Sequence, residues 1–186
     1  MCHYITLIAP TNDLAAVAVV MDRHGRASRR MENRSICAVL HDGERQYLTT
    51  RGGCDCGSVL SMAPEAPDVL ERQLAAEDTR LRLKGWSDSK TARAIADRRK
   101  AEAKRKLGRA GQAIDSFDLW EAVITDLRKA LKLPYAGLLI RSYSGVIEDE
   151  TFKASRREVR SASLRDALAD MAEDEVTVFH GDGRER

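Results

Sequence analysis

Hydrophobic and polar positions along this chain follow two regimes, and the first gives way to the second near residue 65. Before that point short apolar runs alternate with turn residues. Tyr4-Ile5-Thr6-Leu7-Ile8, closed by Pro10, is a β-branched and aromatic run that predicts a first strand. Thr11, Asn12 and Asp13 offer N-cap oxygens to a helix striped by Leu14, Val17, Ala18 and Met21, and Gly25 supplies the left-handed stop after it. Arg26 to Arg34 is polar and basic, the composition of a connecting loop. Ser35 to Leu40 is apolar after its first residue, as expected of a strand buried on both faces. Asp42-Gly43 then turns the chain into a partner strand over Arg45 to Thr50, predicting a hairpin.

From Asp68 the apolar stripe becomes thin and helical. Pro64 and Pro67 hold off a helix until about residue 67. Leu70, Leu74 and Leu81 line a first helix that ends near Lys84-Gly85. Ser87 or Asp88 caps a second, lined by Ala92, Ile95, Ala96, Ala103 and Leu107. Small residues on narrow stripes predict two antiparallel helices packed closely as a hairpin. After Gly108 and Gly111 the first regime returns. Ser116 caps a helix with Phe117, Trp120, Ile124, Leu127 and Leu131 on one face, and Pro134 stops it. Tyr135 to Tyr143 reads as a strand, Ser163 opens a short helix carrying Leu168 and Met171, and Glu175 to Phe179 is a last strand.

With the helical hairpin set aside, the order is strand, helix, strand, strand, helix, strand. That is the ferredoxin-like split βαβ order. The expected fold is therefore α+β, with a ferredoxin-like core of antiparallel or mixed sheet, an inserted antiparallel helical hairpin and a C-terminal α-β extension. Residues 1–60 and 114–181 form the two halves of the core, and 65–110 the inserted basic hairpin.

Length and composition bound the function. A chain of 186 residues that is 43% hydrophobic can bury a sizeable single core. A net charge of only +2 selects neither nucleic acid nor an anionic membrane through any global field. No apolar run approaches the roughly 18–20 residues of a spanning helix, and no basic leader precedes the first strand, so a membrane is not an expected partner and the cytoplasm is the expected location. Thiols stay reduced there. Four cysteines then read as metal ligands, reactive thiols or core filler before they read as disulfides.

The expected topology gives the thiols a meeting place. It sets the first strand antiparallel to the third, so Cys2-His3 at the start of one lies beside Gly52-Gly53-Cys54-Asp55-Cys56-Gly57 at the end of the other. Cys37, at the head of the second strand, lies toward the same side. Zinc wants about four soft ligands, and Cys2, His3, Cys54 and Cys56 make a candidate set. Adjacent Cys2 and His3 reach one ion awkwardly, so Asp55, His41 or water are alternative fourth ligands. The C-x-C spacing is looser than the usual C-x-x-C knuckle, and purely structural thiols fit it equally well. Cys37, inside an apolar run, reads as a small core residue.

A third reading is covalent chemistry, with Cys2 or Cys54 as nucleophile and a histidine beside it, Cys2–His3 or Cys54–His41. The Met-Cys start is similar to that of the N-terminal-nucleophile glutamine amidotransferases, which would imply Cys2 as the nucleophile. That family continues with glycine where His3 stands, and its four-layer sandwich needs more strands than this chain offers. No phosphate-binding glycine loop, nucleophile elbow or HExxH is present, which weighs against a standard enzyme.

Charge is concentrated on the second helix of the hairpin. From Lys90 to Arg109 nine basic residues face two acidic ones, a local charge of +7. Arg93, Arg98, Arg99, Lys100, Lys104 and Arg105 are the candidates for contact with nucleic acid or an acidic protein. The alternative is a solvated helical face partly neutralised by Glu65, Asp68, Glu71, Glu77 and Asp78 of the preceding helix. The thin stripe also allows the arm to form a homodimer. The reading drawn from all of this is a small macromolecule-binding protein with a Cys-rich, zinc-type site. Its rivals are a protein-interaction module with structural thiols, such as a toxin-neutralising immunity protein, and a thiol-dependent hydrolase or transferase.

Overall fold

A computed structural model describes residues 2–61, 67–110, 113–160 and 163–181, with the side chains of 67–70, 72–73 and 102–110 excepted. It is an α+β protein with two compact units, Met1–Ser61 together with Ile114–Arg186, and Met62–Ala113.

The first unit is a six-stranded mixed sheet. Its elements are β1 (Cys2–Ala9), α1 (Leu14–Arg23), β2 (Ala27–Met31), α2 (Arg34–Cys37), β3 (Arg45–Thr50), α5 (Phe117–Leu131), β4 (Tyr135–Tyr143), β5 (Ser155–Val159), α6 (Leu164–Ala169) and β6 (Glu175–His180). The sheet order is β2-β3-β1-β4-β6-β5. Every neighbouring pair is antiparallel except β5–β6. β1 therefore lies inside the sheet, between β3 and β4.

Strand alternation divides the core into two layers. Ile5, Leu7 and Ala9 of β1 face a cluster with Val17, Val20, Met21, Trp120, Ile124, Leu127 and Phe179, under the amphipathic faces of α1, α5 and α6. Ile8 faces the other layer with Met31, Ile36, Leu139, Tyr143, Ile147 and Val178. Each of these large side chains contributes about 1.5–3 kcal/mol by leaving water. The helix starts are capped as the sequence implies: Asp13 accepts from the Ala16 N–H, Ser116 from Leu119 and Ser163 from Asp166.

Two expectations are corrected here. The segment Ser35–Leu40 is not a strand. Asn33 accepts from the Ser35 and Ile36 N–H groups and starts the short helix α2, which buries Ile36 against the second layer. The second strand is instead Ala27–Met31, inside the stretch read as a loop. It is an edge strand, its outer side needs no apolar residue, and its arginines suit it to that position. The hairpin partner of β3 is thus β2, with Met31 opposite Gln46 and Ala27 opposite Thr50.

The second unit contains α3 (Pro67–Leu83) and α4 (Asp88–Ala110), joined through Gly85 at φ +78°, a left-handed turn that favours glycine. The two run antiparallel, tied by Arg98–Glu77 at 3.2 Å and by Arg99–Glu71, and Leu74, Leu81 and Thr91 are buried. The Lys90 ammonium stands 4.0 Å over the Trp86 ring at the bend.

Candidate metal centre

Because β1 and β3 are antiparallel, the chain leaving β3 at Thr50 returns beside the start of β1. There the turn 54–56 is tied to the start of β1. Asp55 donates its N–H to the His3 carbonyl at 2.7 Å, and His3 donates its own to Cys56 Sγ at 3.2 Å. The outcome is a cluster of three thiols. One ligand atom from each of Cys2, Cys54 and Cys56 lies within 4.8 Å of the others, which is close enough to hold one metal ion.

Asp55 divides this turn between two tasks. Its side chain is fully shielded from solvent and ion-paired to Arg26, which is shielded as completely. Its other carboxylate oxygen accepts the Ile5 N–H at 3.0 Å, and its carbonyl accepts Ser61 Oγ at 2.7 Å. Arg26 in turn donates to the Thr49 carbonyl at 3.1 Å, lies 3.7 Å from Asp115 and packs its guanidinium 4.3 Å over Trp120. Trp120 Nε1 donates to Asp115 at 3.1 Å, and Asp115 accepts the Val59 N–H at 2.7 Å. The carboxylate between the two cysteines is thus an anchor sunk into the core, and it leaves the flanking thiols to Cys2.

The electrostatics of the three sulfurs differ. Cys54 is the hub: the backbone N–H of Cys56, then its thiol, and then the thiol of Cys2 hold the Cys54 sulfur below its ordinary value against the opposing effect of burial. Burial pushes Cys56 up, and the charge of Cys54 adds to this, while the His3 N–H works the other way. Tyr4, two residues along β1 from Cys2 and on the same face, is raised chiefly by burial and then by the charges of Cys2, Cys54 and Cys56. Burial likewise raises Asp55, and Arg26 and the Ile5 N–H oppose it.

His3 stands outside the cluster. Consecutive strand residues point to opposite faces, so the strand that presents Cys2 turns His3 away, and its Nε2 meets Glu173 at 3.1 Å. Asp55 is spent on Arg26 and Ile5. His41 precedes β3 while Cys54 follows it, so six residues of strand at about 3.3 Å each separate the supposed Cys54–His41 dyad. Cys37 is corrected on two counts. It is exposed, and it lies beside Gln46, whose Nε2 is 3.1 Å from its sulfur, at the other end of β3 from the thiol cluster.

Arg26, Asp115 and Trp120 went unmarked as site residues in the sequence. Nothing in its spacing separates Arg26, which is buried just before β2, from Arg29 and Arg30, which are exposed on that strand. Trp120 was legible as core, but its indole N–H gave no hint of a partner. On the hairpin Arg93, Arg98, Arg99 and Lys100 are all exposed, and Arg98 and Arg99 are paired with acidic residues of α3. The side chains of Lys104 and Arg105 lie outside the described residues. Among those described, no helix is long and apolar enough to cross a membrane. No protein-family model, curated protein or solved structure matches this chain.

Proposed function

We propose that this is a zinc-binding protein of the cytoplasm, with Cys2, Cys54 and Cys56 as the ligands. The carrying observation is that the three sulfurs lie within 4.8 Å of one another at the end of two paired strands. Tetrahedral zinc with Zn–S near 2.3 Å needs sulfurs about 3.8 Å apart, which small side-chain rotations supply. An all-thiolate set favours zinc, monovalent copper or an iron–sulfur cluster over hard cations. With His3 and Asp55 engaged elsewhere, water or an outside ligand fills the fourth position. The split βαβ reading is supported by the order β2-β3-β1-β4, antiparallel throughout, with α1 after β1 and α5 between β3 and β4.

Elemental analysis of freshly purified protein tests the site. About one zinc per chain is expected, falling sharply in Cys54→Ser and Cys56→Ser. Zinc-free protein whose stability ignores a chelator would overturn the reading.

A second reading gives the hairpin a phosphate-bearing partner. Exposed Arg93 and Lys100, continued in sequence by Lys104 and Arg105, favour nucleic acid over a surface neutralised by ion pairs. Affinity for a nucleic acid is expected to fall steeply with salt and to weaken in Arg93→Gln/Lys100→Gln. Binding indifferent to both would remove this reading.

A further inference from the structure

We propose that the thiol cluster is a redox-gated site, in which a hydroperoxide joins Cys2 to Cys54 and the metal ion leaves because Cys56 alone cannot hold it. This rests on the zinc reading above. The three Sγ atoms lie within 4.8 Å of one another, a gap that side-chain rotation closes to an S–S bond of about 2.05 Å. Cys56 is exposed, so an oxidant dissolved in water reaches the cluster.

Of the possible pairs the geometry selects Cys2–Cys54. Cys2 comes from a separate element, β1, so a bridge from it to Cys54 closes no tight ring. A bridge from Cys54 to Cys56 would instead wrap a tight ring around Asp55, and Asp55 is tied by its N–H to the His3 carbonyl and by its carboxylate to Ile5 and Arg26. Cys56 is further held by the His3 N–H at 3.2 Å. The approach to Cys54 is freer. Gly52, at φ +144°, and Gly53 precede it, and neither has a heavy atom within 4 Å of where a Cβ would stand. The Asp55 anchor stays in place in both states, so the change is confined to the thiols.

The chemistry balances as two electrons passing from two sulfurs to one peroxide. The Cys54 thiolate attacks an oxygen of the hydroperoxide and the O–O bond breaks. Cys54 becomes a sulfenic acid, and the departing hydroxide or alkoxide takes up a proton to leave as water or alcohol. The Cys2 thiolate then attacks the Cys54 sulfur. The S–S bond forms, the S–O bond breaks, and hydroxide leaves as a second water after protonation. A thiol reductant reverses the bridge and restores the ligand set.

The test titrates zinc-loaded full-length chain with hydrogen peroxide. Three quantities are followed: zinc released to a chromogenic chelator, free thiols under denaturing conditions, and the disulfide by peptide mapping. The expected result is loss of two of the four thiols, release of about one zinc per chain in step, and a single bridge joining Cys2 to Cys54. Reductant with zinc restores the starting state. Cys56→Ser forms the same bridge and Cys2→Ser does not, and Cys37→Ser behaves as the parent protein. Zinc that stays bound while thiols are consumed, separate sulfinic acids, or a bridge through Cys37 would each overturn the gate and leave the zinc reading standing. A chain that takes up no zinc before any oxidant is added overturns both.

Discussion

Arg26 and Asp55, 29 residues apart in sequence, form an ion pair in which neither side chain has any exposure to solvent. Such a pair is costly to bury and costlier to break, because removal of one partner strands the other charge in a low dielectric. Asp55→Asn keeps the shape but turns an amide toward the guanidinium, and a loss of about 3–5 kcal/mol in unfolding free energy is expected, as for Arg26→Met. Arg26→Met/Asp55→Leu is expected to recover part of that loss. Denaturant unfolding of the three variants checks this, and a double mutant as unstable as the sum of the singles would show that the pair is not coupled.

Glu44 gives stability its clearest pH dependence. Its side chain is fully shielded and receives Arg156 bidentately at 2.8 and 2.9 Å, with the His41 N–H at 2.7 Å. Burial alone would raise this carboxyl, but the bonds from Arg156, His41 and Tyr135 outweigh it, so it lies below the ordinary 4.5. A depressed folded-state value means that the unfolded chain takes up the proton first. The contribution is complete above about pH 4.5 and is lost as pH falls through the lower folded value. Glu44→Gln is expected to cost stability at neutral pH and to flatten the acid limb of a stability–pH curve. A parallel limb would assign the acid sensitivity to other carboxylates.

The parts of the fold that bury apolar faces were legible in the sequence, and the parts that do not were not. β1, β4 and β6 lie inside the sheet, and their runs of Ile, Leu, Val and Phe announce them. β2 and β5 are its two edges, with sequences ASRRM and SRREV, and their arginines are satisfied by neighbours distant in the chain: Arg29 by Glu148, Arg156 by Glu44, Arg157 by Glu175. A hydrophobic pattern cannot register strands held by backbone pairing and ion pairs.

The site divides the same way. That Cys2 meets the 54–56 turn follows from the antiparallel directions of β1 and β3 alone, wherever the second strand lies. The exclusion of His3 was also implicit in the two-residue strand period, which sets neighbours on opposite faces. The role of Asp55 was not. Its partner Arg26 is one of several arginines in a polar stretch, and only the packing of α5, which brings Trp120 over the guanidinium at 4.3 Å, distinguishes it.

Gly137 lies at a tight point of the sheet. In β4 it sits opposite both Ile8 and Val178, and a Cβ there would stand 3.3 Å from Val178 Cγ2 and 3.4 Å from Ile8 Cβ and the Thr177 carbonyl oxygen. Its neighbours are central strands with little room to yield. Gly137→Ala is expected to cost about 1–3 kcal/mol in a denaturant titration, the usual range for overpacking. An unchanged midpoint would mean that the three strands shift together to absorb the methyl group.

The alternation of β1 offers the sharpest test of the thiol site, because adjacent residues should behave oppositely. Cys2 shares its face with Tyr4 and joins Cys54 and Cys56, whereas His3 meets Glu173. If zinc is held by the three sulfurs, His3→Ala leaves its stoichiometry at about one per chain, and Cys2→Ser lowers affinity by well over tenfold, the order of loss that follows removal of even a supporting partner at a metal site. Competition of each variant with a chelator of known affinity, at one fixed neutral pH, measures this. Loss of zinc in His3→Ala with retention in Cys2→Ser would reverse the assignment and require β1 to present its other face to the turn.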